Sequence, residues 1–433
     1  MANTYISRTF GTPTNSAIWT FSVWIKKSKI SSTMQIFTAG SGSTDQTRIG
    51  FNGSDQFTID RNLSGSIEGF TTTRKFRDVN GFYHLVIQNN SGTVALYVNG
   101  ISETLSGTSF GTNKINVAST IHIVGDTPAS GENFNGIMSH MHFCDGTALA
   151  PTVFGSTDST TGEWKINTSP SFTVGNNGFT ILKDGNTITD QSTNSNAFSL
   201  SSGTLTKSED CPSNVFATMN VLANFGTQWA LFENANTYVR SAGTGEAFIA
   251  SNLGIPATSG KFYAEVKYTA GGGYAQIGIT GKAMPTASGE YLGQLSDSYC
   301  YLQQNGHKQT NDASSSYGNT YAVGDIIGIA VDATNSKLYF SKNGVWQNSG
   351  DPTSGSTGTG AISISATPTD GFYFMGCDKQ QGSTKNYFAW NFGNGYFQTT
   401  AVSSAGTNAS GNGIFEYDTP TGYTSLSTKG LNL

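Results

Sequence analysis

The chain has 433 residues, 36% of them hydrophobic and 12% aromatic, enough for two or three domains that each bury a core without disulfides or metals. Charged residues are only 12%, about half the usual share, and a net charge of −5 excludes the clustered Lys and Arg that a nucleic-acid partner requires. Gly, Ser, Thr and Asn fill the gap, and 53 glycines beside 18 tyrosines and 27 phenylalanines favour strands joined by tight turns, an all-β protein.

The opening "MANTYISRTF" has no apolar core for a signal peptide, and no later segment approaches ~18 continuous apolar residues. A soluble protein made in a cytoplasm, with no membrane insertion, is the expectation. From 5 to about 155 the chain reads as short strands separated by turn signals. "AIWTFSVWIKK" alternates apolar and polar positions, and "WIKKSK", the one dense basic run, reads as a solvated strand end. "YHLVIQNNSGTVALYVNG" is two strands around a tight turn, with His84 a half-buried structural histidine.

Three patterns in this first part invite chemistry. "GTSFG" around Ser109 fits G-x-S-x-G, but no helical pattern follows it, so the strand-to-helix elbow of a nucleophile is missing. "GIMSHMHFCDG" sets His140, His142 and Cys144 two apart with Asp145 directly after, and His-x-His on a strand can hold zinc. The apolar Met138, Met141 and Phe143 are spaced three and then two apart, which predicts a bulge that breaks the shared face a metal needs. Asp126, Asn133 and Asn135 supply oxygens near one connection without a D-x-D-x-D-G loop. No metal or cofactor is expected. Paired acids for glycoside cleavage are missing too, since the glutamates stand isolated and no Glu-x-Asp-x-Glu run occurs. Cys144, Cys211, Cys300 and Cys377 lie far apart and read as reduced thiols.

"YISRTF", "WTFSVWIKKS", "FYHLVIQNNSGTVALYVNG" and "FNGIMSHMHFCDGTALAPTVFG" resemble, in order, the segments of a laminin-G or concanavalin-A-like domain, especially the version found in structural proteins of tailed bacteriophages. A domain over 1–165 is the expectation, followed by a polar connector with short strands over 166–208. "EDCPSNVFATMNVL" resembles the lead-in that such phage proteins place before a second module. "SGKFYAEVKYTAGGGYAQIGIT", "SYGNTYAVGDIIGIAVDATNSKLYFSKNGVW", "FYFMGCD" and "WNFGNGYF" then look like the successive strands of a SPRY domain, over 209–400. Within it Asn343-Gly344 reads as a tight turn. The segment 401–433, with Phe415, Tyr417 and Tyr423, is expected to dock on a sandwich. The fold class is therefore two antiparallel β-sandwich, jelly-roll-like domains joined by a polar connector.

Both resembled folds bind through loops, so function is sought in the connections. The stretch 281–320 carries Tyr291, Tyr299, Tyr301 and Tyr317, whose flat rings and hydroxyls suit stacking on sugars or packing at a protein interface. Tyr299 and Tyr301 also alternate as strand residues that simply pack would. The resemblance implies a non-enzymatic virion-surface protein that attaches to a host cell-surface glycan or protein. The alternatives are a purely structural component contacting other virion proteins, and a polysaccharide-degrading glycosidase. The first strand follows Met1 closely, so no adaptor or coiled-coil stalk is expected, while symmetric homo-oligomeric assembly is.

Overall fold

The computed structural model describes residues 4–107, 111–129, 131–183, 188–225, 229–242, 248–287, 289–379 and 385–432. Ser109 of the G-x-S-x-G match lies outside the described residues. The chain divides into two compact units, Met1–Lys207 and Ser208–Leu433.

The first unit layers two antiparallel sheets. One runs from Leu105–Gly107 through Ser66–Lys75, Gln56–Leu63, Asp45–Phe51, Met34–Gly42, Ile121–Val124 and Tyr5–Thr9 to Ser199–Ser202. The other runs from Phe179–Ile181 through Gly136–Asp145, Ile18–Lys27, Tyr83–Asn90 and Thr93–Val98 to Ile101–Ser102. Period-2 alternation sends Trp19, Phe21, Val23 and Ile25 into the space between them, where they meet Ile49, Phe51, Phe57, Ile59, Leu85 and Ile87. The hairpin turn at Ser91 and Gly92 has φ of 54° and 92°, the left-handed pair that a two-residue connection demands.

Two expectations change here. The stretch 166–208 is not a linker: Phe179–Ile181 pairs with Gly136–Asp145, Ser199–Ser202 pairs with Tyr5–Thr9, and Phe179, Ile181 and Phe198 are buried in the core. The basic run is solvated only at Lys29: Trp24 stacks on His84 beneath Trp164, Lys26 lies over Phe82, and the loop around Asp55 encloses Lys27. Lys27 is fully buried, its Nζ 3.1 Å from Asp55 and 2.8 Å from the Phe76 carbonyl. Asp55 also accepts from the Ser31 amide and from Arg77, so the buried charge is fully partnered.

The second unit repeats the layering with its own core. Its larger sheet runs Trp229–Glu233, Tyr238–Ser241, Tyr387–Asn391, Lys261–Ala270, Ile326–Asp332, Lys337–Lys342, Val345–Trp346, and its smaller one Ile249–Ala250, Phe372–Lys379, Ala275–Thr280, Ser298–Leu302, His307–Thr310, Ala313–Ser316. Asn343 and Gly344 form the tight turn read from the sequence, at φ 49° and 79°. Phe262, Val266, Ile277, Ile279, Ile327, Ile329 and Trp390 fill the interior.

The closing segment straps onto the outer face of the larger sheet. Thr424–Ser425 adds in parallel to Phe262 and Tyr263, while Phe415 and Tyr423 pack on Tyr263 and Tyr339. Glu265 clasps this strap: its carboxylate accepts from the Glu416 and Tyr417 amides at 2.8 and 2.9 Å, and from Tyr263 and Asn391. Burial pushes the Glu265 carboxyl up to about 7, against four donors that favour its charge.

Candidate functional site

The histidine-rich strand shows what its ligand-type residues do. Its pairing with Ile18–Lys27 slips between Ser139 and His142, and His140 takes φ +47°, so a bulge stands where the apolar spacing predicted one. Met141 and Phe143 face the core, while His142 and Cys144 face outward under residues 150–172. There His142 bonds the Thr180 hydroxyl at 2.9 Å and stacks on Phe154, and burial lowers its pKa to about 3. Asp145 is a hub, accepting from the amides of Thr14, Asn15 and Asn177 and from the Asn116 side chain. No cluster of three or more ligand-type side chains occurs among the described residues.

His84 is fully buried rather than half-buried, sandwiched between Trp24 and Trp164. The Trp164 indole N–H donates to His84 Nδ1 at 2.9 Å, so the proton of the neutral ring sits on Nε2 and is donated to Ser22 Oγ at 2.9 Å. A histidine that already donates to the serine cannot take its proton, and this Ser–His contact is structural. Asp60 and Glu132 converge as well, but on opposite sides of the Arg48 guanidinium, at 2.8 and 3.4 Å, which ties both down.

The tyrosines divide sharply. Tyr299, Tyr301 and Tyr317 are 6%, 0% and 5% exposed and belong to the core cluster, which corrects their assignment to a binding surface. Alternation puts Tyr299 and Tyr301 on the inward face of Ser298–Leu302, and Tyr317 turns in to meet Tyr301 and Phe340. Their hydroxyls are engaged: Tyr299 accepts from the Ser365 amide, Tyr301 donates to the Asn319 carbonyl, and Tyr317 accepts from the Phe340 amide. Tyr291 is half-buried and donates to Asp312, and it is the one of the four with a partly open ring.

A site that the sequence reading missed lies between the connection after the Asn343-Gly344 turn and the terminal strap. A solvent-open groove of ≈ 440 Å³ is lined by Trp346, Asp351, Pro352 and Thr353 on one wall and by Thr407, Asp418, Thr419 and Pro420 on the other. Trp346 is half-buried, its ring in T-shaped contact with those of Tyr263 and Tyr339. The Tyr423 hydroxyl donates to the Pro352 carbonyl at 3.1 Å and so ties wall to wall. Both aspartates are exposed and engage the protein through one oxygen: Asp351 Oδ1 accepts from the Thr353 amide and hydroxyl within its own turn, and Asp418 Oδ1 from those of Thr407 across the closing segment. These bonds hold both carboxyls below their ordinary range, hence ionised at neutral pH. The signal that could have found it is the pair of Asp/Thr/Pro clusters "DPTS" and "DTPT", whose residue types also suit ordinary turns.

Comparison with known proteins identifies what carries these sites. Residues 2–154 match the concanavalin A-like lectin/glucanases superfamily, and residues 261–362 match the SPRY domain. The chain carries a concanavalin A-like domain followed by a SPRY domain. The groove thus joins the end of the matched SPRY domain to the strap beyond it. Ran-binding protein 9 of Danio rerio and of Homo sapiens are each 33% identical over 91 residues, 21% of this chain, and the match spans only 15% and 12% of those relatives. Among solved structures, the SPRY domain of human HERC1 is similar at 14% identity and TM-score 0.28, covering 37% of this chain and 90% of that one. A heptameric SAP-like pentraxin from Limulus polyphemus is similar at 16% identity and TM-score 0.26, covering 34% and 72%.

Proposed function

We propose that the chain is a non-enzymatic surface protein of a tailed-bacteriophage virion, which attaches to a host-surface glycan or protein through the loops of its SPRY domain. The observation that supports this reading is the groove, an open, rigidly walled, hydroxyl- and carboxylate-lined surface with one aromatic ring. His84, His122 and His142 and the Asp60–Arg48–Glu132 cluster are spent on packing or pairing, which fits binding better than catalysis. The phage setting comes from the resemblance of the segments around both domains.

The test is made on intact particles and on the purified chain. An antibody to the chain should label virions, and excess chain should slow adsorption to host cells. Labelling without any effect on adsorption would favour a purely structural virion component. Absence from the particle would end the proposal.

A further inference from the structure

We propose that the groove walled by 346–353 and 407–421 is a saccharide subsite for a neutral, hydroxyl-rich sugar unit, with Trp346 as its stacking platform and Asp351 and Asp418 as acceptors of sugar hydroxyls. This deepens the attachment reading, and rests on it for the origin of the sugar. Two observations meet here. The Trp346 indole is half-buried against Tyr263 and Tyr339 and lines the groove, and its open part offers apolar area of the kind a pyranose ring covers. Each carboxylate spends Oδ1 on a threonine amide and hydroxyl, and among the described residues no donor reaches Oδ2 of either.

The same lining sets the ligand's charge. It holds two carboxylates and no Lys or Arg, so uronic and sialic acids are repelled while hydroxyl donors are matched. A peptide would want an apolar anchor pocket or an open sheet edge, and the groove presents threonines and prolines instead. Because the walls are tied through Tyr423 and Pro352, little ordering is needed on binding. Single-site affinity is expected to be weak and to gain from repeated copies on a particle.

The full chain is titrated with neutral oligosaccharides of glucose, galactose and N-acetylglucosamine, and with oligogalacturonate, by saturation-transfer NMR and calorimetry. Transfer to at least one neutral series and none to oligogalacturonate is expected. Trp346→Ala should weaken that binding about tenfold or more with Trp346→Phe retaining part of it. Asp418→Asn, which keeps the oxygen that Thr407 uses, should weaken the neutral sugar and relax the discrimination against the uronate. Binding unaffected by both substitutions, binding only to oligogalacturonate or to a peptide, or no binding to any neutral sugar would overturn the proposal. Adsorption is scored separately: competition for host cells by a chain that binds no sugar sinks the subsite and spares the attachment reading, whereas sugar binding without competition does the reverse.

Discussion

Tyr317 and Tyr291 sit 26 positions apart in one polar stretch, yet truncation at the two should differ widely in cost. Tyr317→Ala empties a buried ring site and strands the Phe340 amide, so unfolding in denaturant should show a loss of about 3–5 kcal/mol. Tyr291→Ala removes a half-buried ring whose hydroxyl donates to Asp312 and should cost under about 1 kcal/mol. The sequence carried half of this distinction: Tyr299 and Tyr301 share a strand face with no polar partner in step, whereas Tyr317 follows "ASSS" and nothing local tells that it turns inward. Asp145 stood out in the sequence only as the residue directly after His140, His142 and Cys144. Its four donors come from residues 14, 15, 116 and 177, contacts that no local pattern reveals. Asp145→Ala leaves all four unanswered beneath the surface and should lower stability by about 3 kcal/mol or more, measured as a fall in midpoint without change in slope.

Among the elements, the strap and the supposed connector were read with opposite success. Phe415, Tyr417 and Tyr423 pointed to docking because aromatic rings need cover, and Phe415 and Tyr423 are 1% exposed while Tyr417 is half-buried. The stretch 166–208 hid its role because its core residues Phe179, Ile181 and Phe198 are scattered through a polar run. Asn177, Asn194 and Asn196 hold backbone groups that a hydrophobic strand would leave to its neighbours, so composition resembled a linker. The clasp on the strap gives an element-level prediction. Glu265→Gln sets an amide N–H against donors from the Glu416 or Tyr417 backbone, which should destabilise the strap by about 1–3 kcal/mol. Amide exchange should quicken at residues 414–426 while that of the Ile326–Asp332 strand changes less.

At the scale of the molecule, the two units should answer acid in opposite senses. His84, His122 and His142 carry protons near 6.5 when exposed, and burial lowers each to about 3 in the fold. Between those values the unfolded chain binds the extra protons, so the first unit weakens as pH falls from about 6.5, by about 2 kcal/mol per histidine at pH 5. Glu265 moves from 4.5 to about 7, so there the folded form binds the extra proton. The second unit therefore gains as pH falls from about 7 toward 4.5, by up to about 3 kcal/mol. Its depressed carboxyls at Glu290, Asp325, Asp351 and Asp418 work the other way, but below this window. Calorimetry at pH 7 and pH 5 should show two transitions moving in opposite directions, the first unit's falling, and parallel shifts of both would refute the assignment. The separate cores behind this were legible, since each half repeats its own alternation of apolar strands.

Each unit also fastens its own beginning to its own end: Tyr5–Thr9 lies beside Ser199–Ser202, and Ala217 and Thr428 bond across to Leu426 and Val215. Either half can consequently be cut out and spliced into a foreign gene as a cassette whose ends emerge side by side, a geometry that lends itself to shuffling between genomes.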